Sequence, residues 1–241
     1  MTRAAAISAV AVVIPAHDEE ELLGACLASV AVAALAPRRR GIPVHVWVAL
    51  DACTDGSARI AAAAGAHLVE LDARNVGVAR QAGVTAALDA VGDVAPSQVW
   101  LAHTDADSVV PANWLTDQLR HARRGAGVVV GTVRPDFRDL SPAQHDAWWQ
   151  THTPGVANGH VHGANLGMRA DVHLAAGGFA AAAVHEDVML VAAARAAGAR
   201  VSASDAAWVR TSGRQAGRAP DGYARYLRED LIPLSKSLPT V

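Results

Sequence analysis

Apolar strand patterns alternate with helix patterns in the first half of the chain, and this alternation constrains the fold most strongly. The apolar segments are Ala9–Ile14, Val44–Leu50, Ala66–Leu71 and Val99–His103. Continuous apolar strands separated by helices are typical of a mainly parallel sheet that helices cover on both faces. Ligands of such sheets bind beyond the carboxyl ends of the strands. We therefore predict an α/β fold whose functional residues follow its strands.

Acidic residues follow three of these four strands. They occur in the segments Pro15–Glu19, Asp51–Ser57 and Thr104–Asp107. Because the carboxyl ends of parallel strands meet at one edge of a sheet, we expect these residues to face a common site.

The remaining pattern predicts further helices and a less regular second half. Helices are predicted from about Glu19 to Ala36, where Pro37 stops the first one, and over Ser57–Ala64 and Val76–Val91. In the second half we predict a strand over Gly127–Val133, a helix over Ser141–Gln150 that Ser141 caps, and a helix over His185–Ala197. The tail from Ser202 is predicted to form loops with one helix, Asp221–Asp230. No repeat or long linker divides the chain, so we expect a single domain over residues 1–241.

Composition excludes several classes of protein. A formal net charge of -2 gives no basic field for nucleic acid. The two cysteines, Cys26 and Cys53, cannot build a disulfide scaffold, and reduced thiols in a cytoplasmic protein are the simpler interpretation. The apolar run Ala4–Ala16 is interrupted by serine and proline and is shorter than the about 20 residues that span a bilayer, so no transmembrane segment is predicted.

Asp105 and Asp107 lie one residue apart at the end of a strand. Two carboxylates this close repel each other unless a cation or hydrogen-bond donors compensate. A hard divalent cation, Mg or Mn, prefers such oxygen ligands and can stabilise a diphosphate as a leaving group. A solvated acidic turn is the alternative, and the acidic ends of the neighbouring strands favour the metal site.

Two more segments suit a nucleotide ligand. The Asp51 carboxylate is placed to accept a hydrogen bond from a base N–H or a ribose hydroxyl, whereas Asp55 fits a turn and a helix cap. Arg80 lies in the first turns of a helix, where arginine and the helix N-terminus favour phosphate. A surface arginine is the alternative for Arg80.

Glu186 and Asp187 open another predicted helix. Either carboxylate is able to remove a proton from an acceptor hydroxyl, and complementation of the helix dipole is the alternative. Trp114, Trp148 and Trp149 are suited to stack on a sugar face or to pack in the core.

The ordered set of motifs resembles the family 2 glycosyltransferases with the GT-A fold, a Rossmann-like mainly parallel sheet flanked by helices. The matching motifs, from about Ala9 to Ser212, are P-x-x-D-E, D-x-x-x-D-G-S, N-x-G-x-A-R, D-A-D-S, G-A-N-L-G-M-R and E-D-V-x-L. The resemblance implies a metal-dependent, inverting transfer of a sugar from a nucleotide-diphosphate donor, UDP- or GDP-linked, to the hydroxyl of a small-molecule or lipid-linked acceptor. It also implies a nucleotide-binding half over about residues 1–110 and an acceptor-binding half over about 111–241.

The resemblance assigns roles to the candidate residues. Pro15, Ala16, Glu19 and Asp51 would hold the nucleotide. Asp105 would face the ribose beside the metal, and Asp107 would bind the metal. Asn165 would line the pocket for the donor sugar and the acceptor. Asp187 would be the base, with Glu186 as its neighbour. These residues are the candidate site: Pro15, Ala16, Glu19, Asp51, Arg80, Asp105, Asp107, Asn165, Glu186 and Asp187.

Some positions depart from the family pattern. Asp18 stands where the family usually has asparagine, and no histidine follows His185 to act as a late metal ligand. Arg210 or Arg214 is the candidate to neutralise the diphosphate instead. A non-catalytic nucleotide-sugar-binding module and a sugar-phosphate nucleotidyltransferase stay open as alternatives. We expect a cytoplasmic protein, with contact to a membrane surface and a homodimer left open.

Overall fold

The computed structural model describes residues 5–182, 184–215 and 222–237. Within these residues, eight strands form one sheet. They are β1 (Ala9–Ala16), β2 (Val44–Asp51), β3 (His67–Leu71), β4 (Val99–His103), β5 (Ser108–Val109), β6 (Val128–Pro135), β7 (Leu166–Arg169) and β8 (Val201–Thr211). Their spatial order is β3-β2-β1-β4-β7-β6-β8-β5.

Helices connect most of these strands. They are α1 (Leu23–Arg39), α2 (Ser57–Ala63), α3 (Val76–Ala90), α4 (Trp114–Arg123), α5 (Pro142–Thr151), α6 (Ala170–Ala175), α7 (Glu186–Ala196), α8 (Tyr223–Arg225) and α9 (Leu231–Ser237). A π-helical turn, Tyr226–Asp230, joins α8 to α9. None of the helices in the described part of the chain has the length and hydropathy needed to span a membrane.

The sheet is parallel around β1 and mixed beyond β4. β1 pairs in parallel with both β2 and β4, and β2 pairs in parallel with β3. β7 runs antiparallel between β4 and β6, whereas β6 and β8 are parallel. The predicted α/β fold with a mainly parallel sheet and flanking helices is confirmed.

The alternation of side chains along β1 explains why both faces of the sheet are covered. Val12 and Ile14 point to a core that α1 and α4 complete, and Val13 points to the opposite core, with α3 and α7. On α1, buried residues recur with helical spacing, as at Leu23 and Val30, so that one stripe of the helix packs on the sheet.

Two predictions about the fold are wrong. The first helix continues to Arg39 with Pro37 inside its last turn, because proline at that point costs only one of the final helical hydrogen bonds. The tail from Ser202 contains strand β8 rather than only loops, and its buried Ala207 and Val209 alternate with the exposed Trp208. The helical prediction near the end is met from Tyr223 onward, and Asp221 lies outside the described residues.

Candidate active site

A cavity of about 1030 Å³ lies at the carboxyl ends of β1, β2 and β4. The starts of α3 and α7, a loop over residues 160–164 and the segment around Tyr223 complete its wall. Both halves of the chain therefore contribute to one cavity. It lies at the common edge where the parallel strands end, which is where ligands of such sheets bind.

The loop after β1 reaches the cavity and is fastened to the loop after β2. Pro15, Ala16 and Glu19 line the cavity. The Glu19 N–H donates to Ser57 Oγ (2.9 Å), and the Thr54 N–H donates to the carboxylate of Asp18 (2.7 Å). These bonds fix the loops as one unit and place the predicted nucleotide-binding residues together. Asp55 caps its own turn, accepting from the Ser57 N–H (2.9 Å).

Asp51 ends β2 and borders the cavity, but its carboxylate already has backbone partners. It accepts hydrogen bonds from the N–H groups of Ala73 (2.7 Å), Arg74 (2.8 Å) and Asn75 (2.7 Å). The Asn75 side chain in turn caps α3 by accepting from the Val78 N–H (3.1 Å). Asp51 therefore shapes the turn that starts α3, a structural role that the sequence did not predict.

Arg80 links two acidic parts of the site. Its Nη2 donates to Asp105 Oδ1 (2.5 Å) and its Nε to Glu186 Oε1 (3.2 Å), while its side chain is only 2% exposed. The sequence predicts a phosphate contact for this arginine, and that contact stays a prediction; in the structure its guanidinium donates to two carboxylates. Arg80 thus joins the end of β4 to the start of α7.

Asp107 belongs to a network of hydrogen bonds and ion pairs that extends to β8 and Arg214. Thr211 Oγ1 donates to Asp107 Oδ1 (3.1 Å), and Arg214 Nη2 lies 3.0 Å from Asp107 Oδ2. Arg214 also donates to both carboxylate oxygens of Glu19, at 2.9 and 3.2 Å. Burial and the neighbouring Asp105 raise the pKa of Asp107, and Arg214 opposes this rise. One arginine therefore compensates two carboxylates that the cavity brings together.

Glu186 and Asp187 open α7 and both border the cavity. Asp187 Oδ2 accepts from the Gly163 N–H (2.6 Å), and its Oδ1 accepts from the Val188 N–H (2.7 Å). Burial is the main cause that raises the pKa of Asp187, and it also raises the pKa of Glu186. Glu186 forms an ion pair with Arg80. Asp187, in contrast, forms no ion pair with another described residue.

Asn165 is buried behind the cavity wall, and the structure does not bring its side chain to the predicted pocket. Its Oδ1 accepts from Trp114 Nε1 (2.9 Å), and its Nδ2 donates to the carbonyl oxygens of Thr132 (2.9 Å) and Ala207 (3.0 Å). The side chain turns inward because these three groups lie in the core and need partners. Its neighbours Gly163 and Ala164 line the cavity instead.

Strained backbone is concentrated around the cavity. The described non-glycine residues with left-handed backbone are Asp18 (φ 51°), Ala52 (φ 53°), Arg74 (φ 49°) and His185 (φ 63°). Arg74 and His185 line the cavity, and the other two adjoin residues that do. Such conformations are costly and cluster at functional sites, which supports assigning the function to this cavity.

Several cavity residues are absent from the predicted site. His152, His160 and His162 border it, as do Tyr223 and Tyr226 from the end of the chain. Burial lowers the pKa of His162 to about 4, so this imidazole is neutral near pH 7. The clustering of these histidines is visible in the sequence, but nothing in the sequence indicates that the tyrosines return to the cavity.

The three tryptophans that the sequence singles out do not line this cavity. Trp114 is fully buried beneath the sheet and Trp148 is buried on α5, so packing explains both. Trp149 is exposed and borders a second, smaller cavity.

Solved structures with this fold include three glycosyltransferases. S. aureus TarS, in complex with UDP-GlcNAc, is 17% identical with a TM-score of 0.64, and the match covers 89% of this chain and 61% of that one. The mannosyltransferase PcManGT from Pyrobaculum calidifontis, with GDP-Man and Mn²⁺, is 19% identical with a TM-score of 0.61, covering 94% and 72%. Glucosyl-3-phosphoglycerate synthase from Mycobacterium tuberculosis, with Mn²⁺, UDP and phosphoglyceric acid, is 15% identical with a TM-score of 0.56, covering 97% and 80%.

The chain thus spans 61% of the length of the TarS structure. No curated protein sequence matches the chain closely enough to count as a relative. The sequence model of Glycosyl transferase family 2, however, matches residues 11–173, which is more than half of the chain and includes the ends of β1, β2 and β4. The chain therefore belongs to glycosyl transferase family 2.

Proposed function

We propose that this chain is a glycosyltransferase that moves a sugar from a nucleoside-diphosphate donor to an acceptor hydroxyl, with inversion at the anomeric carbon and with a divalent cation. The observation that carries the proposal is that Asp107 and Asp187, from different halves of the chain, border one cavity. The first is suited to the donor diphosphate and the second to proton removal.

The acidic end of β4 fits a hard divalent cation. A negative charge on Asp107 is unfavourable there because of burial and Asp105, and a cation would compensate it as Arg214 does here. Mg is commonly held by one or two carboxylates together with substrate phosphates, so Asp107 with Asp105 beside it would suffice. When bound, Mg or Mn would stabilise the charge of the diphosphate leaving group.

A second group of potential metal ligands is a weaker candidate. Among the described side chains, Asp18, Cys53 and Asp55 form the group of three whose ligand atoms lie close enough to share an ion. Both carboxylates of this group already accept backbone N–H groups, and none of the three lines the cavity. We therefore assign the cation to the end of β4.

The ligands of structural relatives support the class of donor. TarS binds UDP-GlcNAc, and PcManGT binds GDP-Man with Mn²⁺. We infer a UDP- or GDP-linked donor for this chain. Pro15, Ala16, Glu19 and Asp51 would border its nucleotide, because they surround the cavity at the ends of β1 and β2.

Asp187 is our candidate for the base. Its raised pKa brings it nearer to neutral pH, where a carboxylate is a better proton acceptor, and the N–H groups of Gly163 and Val188 fix its position. Asp187 would take the proton of the acceptor hydroxyl while that oxygen forms its bond to the anomeric carbon and the nucleoside diphosphate leaves. Glu186 neutralises Arg80 and is a positioning residue.

Arg214 is the better candidate to contact the diphosphate. It lines the cavity beside Asp107, whereas Arg210 Nη1 is engaged with Asp136 at 2.7 Å. Arrival of a cation and a diphosphate would offer Arg214 new anionic partners in place of Asp107 and Glu19. A cytoplasmic location, contact with a membrane surface and a homodimer stay predictions of the sequence.

The experiment measures release of nucleoside diphosphate from a panel of UDP- and GDP-sugars with Mn²⁺ or Mg²⁺, with and without acceptors. NMR of the product reports the anomeric configuration. We expect activity with one donor class, inversion, and a loss of at least about 100-fold in Asp107→Asn and Asp187→Asn, because each removes a group used at the transition state. Asp146→Asn, an exposed residue on α5, is the matched control and should keep full activity.

Full activity in both site variants would refute the assignment of these residues. Nucleotide binding without turnover across donors and acceptors would favour a non-catalytic module instead. Release of pyrophosphate from a nucleoside triphosphate and a sugar phosphate would indicate a nucleotidyltransferase.

A further inference from the structure

A second cavity, of about 160 Å³, adjoins the first. It lies between the end of β6, strand β8 and the segment that follows α5. His152 lines both cavities and stacks flat on Trp148, with ring centroids 4.0 Å apart. His152 therefore stands between the two cavities, and Trp148 supports it from the side of the second one.

Exposed tryptophan is confined to this second cavity. Of the six tryptophans, Trp149 is 39% exposed and Trp208 is 37% exposed, and both line it. The other four are buried: Trp47, Trp100, Trp114 and Trp148. Each of these two indoles presents a partly exposed apolar face beside the same small cavity, where a ligand ring could pack against it.

Polar groups in the same cavity lack partners. The Arg134 guanidinium lies 3.6 Å above the Trp208 ring, and its Nε is buried without a hydrogen bond among the described residues. Asp136 attracts Arg134 electrostatically, but its carboxylate is already paired with Arg138 and Arg210. Thr132 also lines the cavity, with a buried hydroxyl that has no described partner.

Donors and acceptors are mixed around the aromatic surface. Arg134 offers donors, Asp205 offers the carboxylate oxygen that does not accept from the Gly155 N–H, and Asn158 offers its amide N–H groups, all in the cavity lining. Because a cation and an anion face the same space, the lining does not select a charged ligand. A cavity of roughly 150 Å³ is large enough for one six-membered ring, and here the lining is polar as well as aromatic.

We propose that this cavity binds one neutral pyranose ring of the acceptor, and this inference rests on the proposed function. The acceptor would then be a glycan or glycoside with at least two rings. One ring would pack against the exposed parts of Trp149 and Trp208 with its hydroxyls bonded to Arg134 and Asp205, while another presents its reacting hydroxyl to Asp187 in the first cavity.

The test uses the full chain and simple sugars as probes: methyl α-glucopyranoside, methyl α-mannopyranoside, methyl β-galactopyranoside and their disaccharides. Iodide quenching of tryptophan fluorescence reports Trp149 and Trp208 selectively, because the other indoles are buried. We expect at least one probe to protect these indoles from iodide, and disaccharides to protect at lower concentration. Saturation-transfer NMR should show contact with the sugar C–H groups.

Two variants test whether the sugar probes bind in the second cavity. Trp208→Leu and Arg134→Gln should each weaken probe binding at least tenfold, and in transfer assays should raise the KM for a disaccharide acceptor by a similar factor. Arg39→Gln, at the exposed end of α1, is the matched control and should bind the probes as the parent does. Circular dichroism of each variant checks that it is folded.

The inference is overturned if no probe protects either tryptophan, or if protection survives both site variants. Protection that grows with protein concentration without sugar would also overturn it, because a second copy of the chain would then cover the indoles. A parent protein that binds the sugars but no nucleoside diphosphate would refute the proposed function and leave the sugar site in place.

Discussion

Replacing Arg80 with methionine tests whether the buried ion cluster holds the two halves of the site together. The Arg80 side chain is 2% exposed, and those of its partners Glu186 and Asp105 are 7% and 36% exposed. Methionine keeps much of the apolar stem but leaves Glu186 buried without its cation. Removing one partner of a buried ion pair costs about 3–5 kcal/mol. Loss of the Arg80–Asp105 contact adds little to this cost, because water screens the charge of a partly exposed carboxylate.

Urea unfolding followed by circular dichroism measures this loss, and we expect the free energy of unfolding to fall by about 3 kcal/mol. The double variant Arg80→Met/Glu186→Gln should recover most of it, because the unpaired charge is gone. The matched control is Arg169→Met, whose partner Asp171 is more exposed, and it should cost less than about 1 kcal/mol.

The loss of unfolding free energy caused by Arg80→Met should also depend on pH. Burial raises the pKa of Glu186 and Arg80 lowers it, so loss of Arg80 raises this pKa further. A carboxyl whose pKa is higher in the folded than in the unfolded state binds its proton more tightly when the protein is folded. The loss of stability caused by Arg80→Met should therefore shrink as pH falls through the folded-state pKa of Glu186. An Arg80→Met variant as stable as the parent, or a double variant no more stable than the single one, would refute the reasoning.

Three further outcomes follow from individual contacts. Asn165→Leu should lower the free energy of unfolding by about 3 kcal/mol in urea titrations, because buried polar groups on three neighbouring elements lose their partners. Hydrogen bonding to Arg138 is the main cause that lowers the pKa of Asp136 to about 2. Asp136→Asn should therefore cost about 1 kcal/mol at pH 7, and this cost should shrink as pH falls from about 4 and vanish only about a pH unit below the folded pKa, where the parent has lost the same contribution. If Asp187 is the base, kcat/KM should fall at acid pH with a pKa above the ordinary value of an aspartate, and a parent profile without this limb would exclude it as the base.

The sequence predicts the first half of the fold well, because each strand there carries a local signal. The continuous apolar runs and the acidic residues that follow them are enough to predict β1, β2 and β4 as strands of a parallel sheet whose ends share one edge; their order comes from the structure. Pro37 is a weaker signal, since proline ends a helix only approximately. Strand β8 is missed because its alternation is short and begins among serine and alanine.

The site is harder to predict, because contacts between distant segments decide what each side chain does. Asp51 and Arg80 both line the cavity, yet the carboxylate of Asp51 accepts from backbone N–H groups and the guanidinium of Arg80 donates to two carboxylates. Asn165 shares a motif with cavity residues, but core donors and acceptors draw its side chain inward. No local pattern reports such pairings, which depend on the packing of residues far apart in the chain.

Calorimetric titration with UDP and GDP, in the presence and absence of Mn²⁺, tests the central claim most directly. We predict that one nucleotide binds in the cavity, that binding needs Mn²⁺, and that Asp107→Asn weakens it at least tenfold while Asp146→Asn, an exposed acid outside the cavity, does not. Equal binding without the cation, or equal binding by Asp107→Asn and the parent protein, would contradict a nucleotide-diphosphate site centred on Asp107.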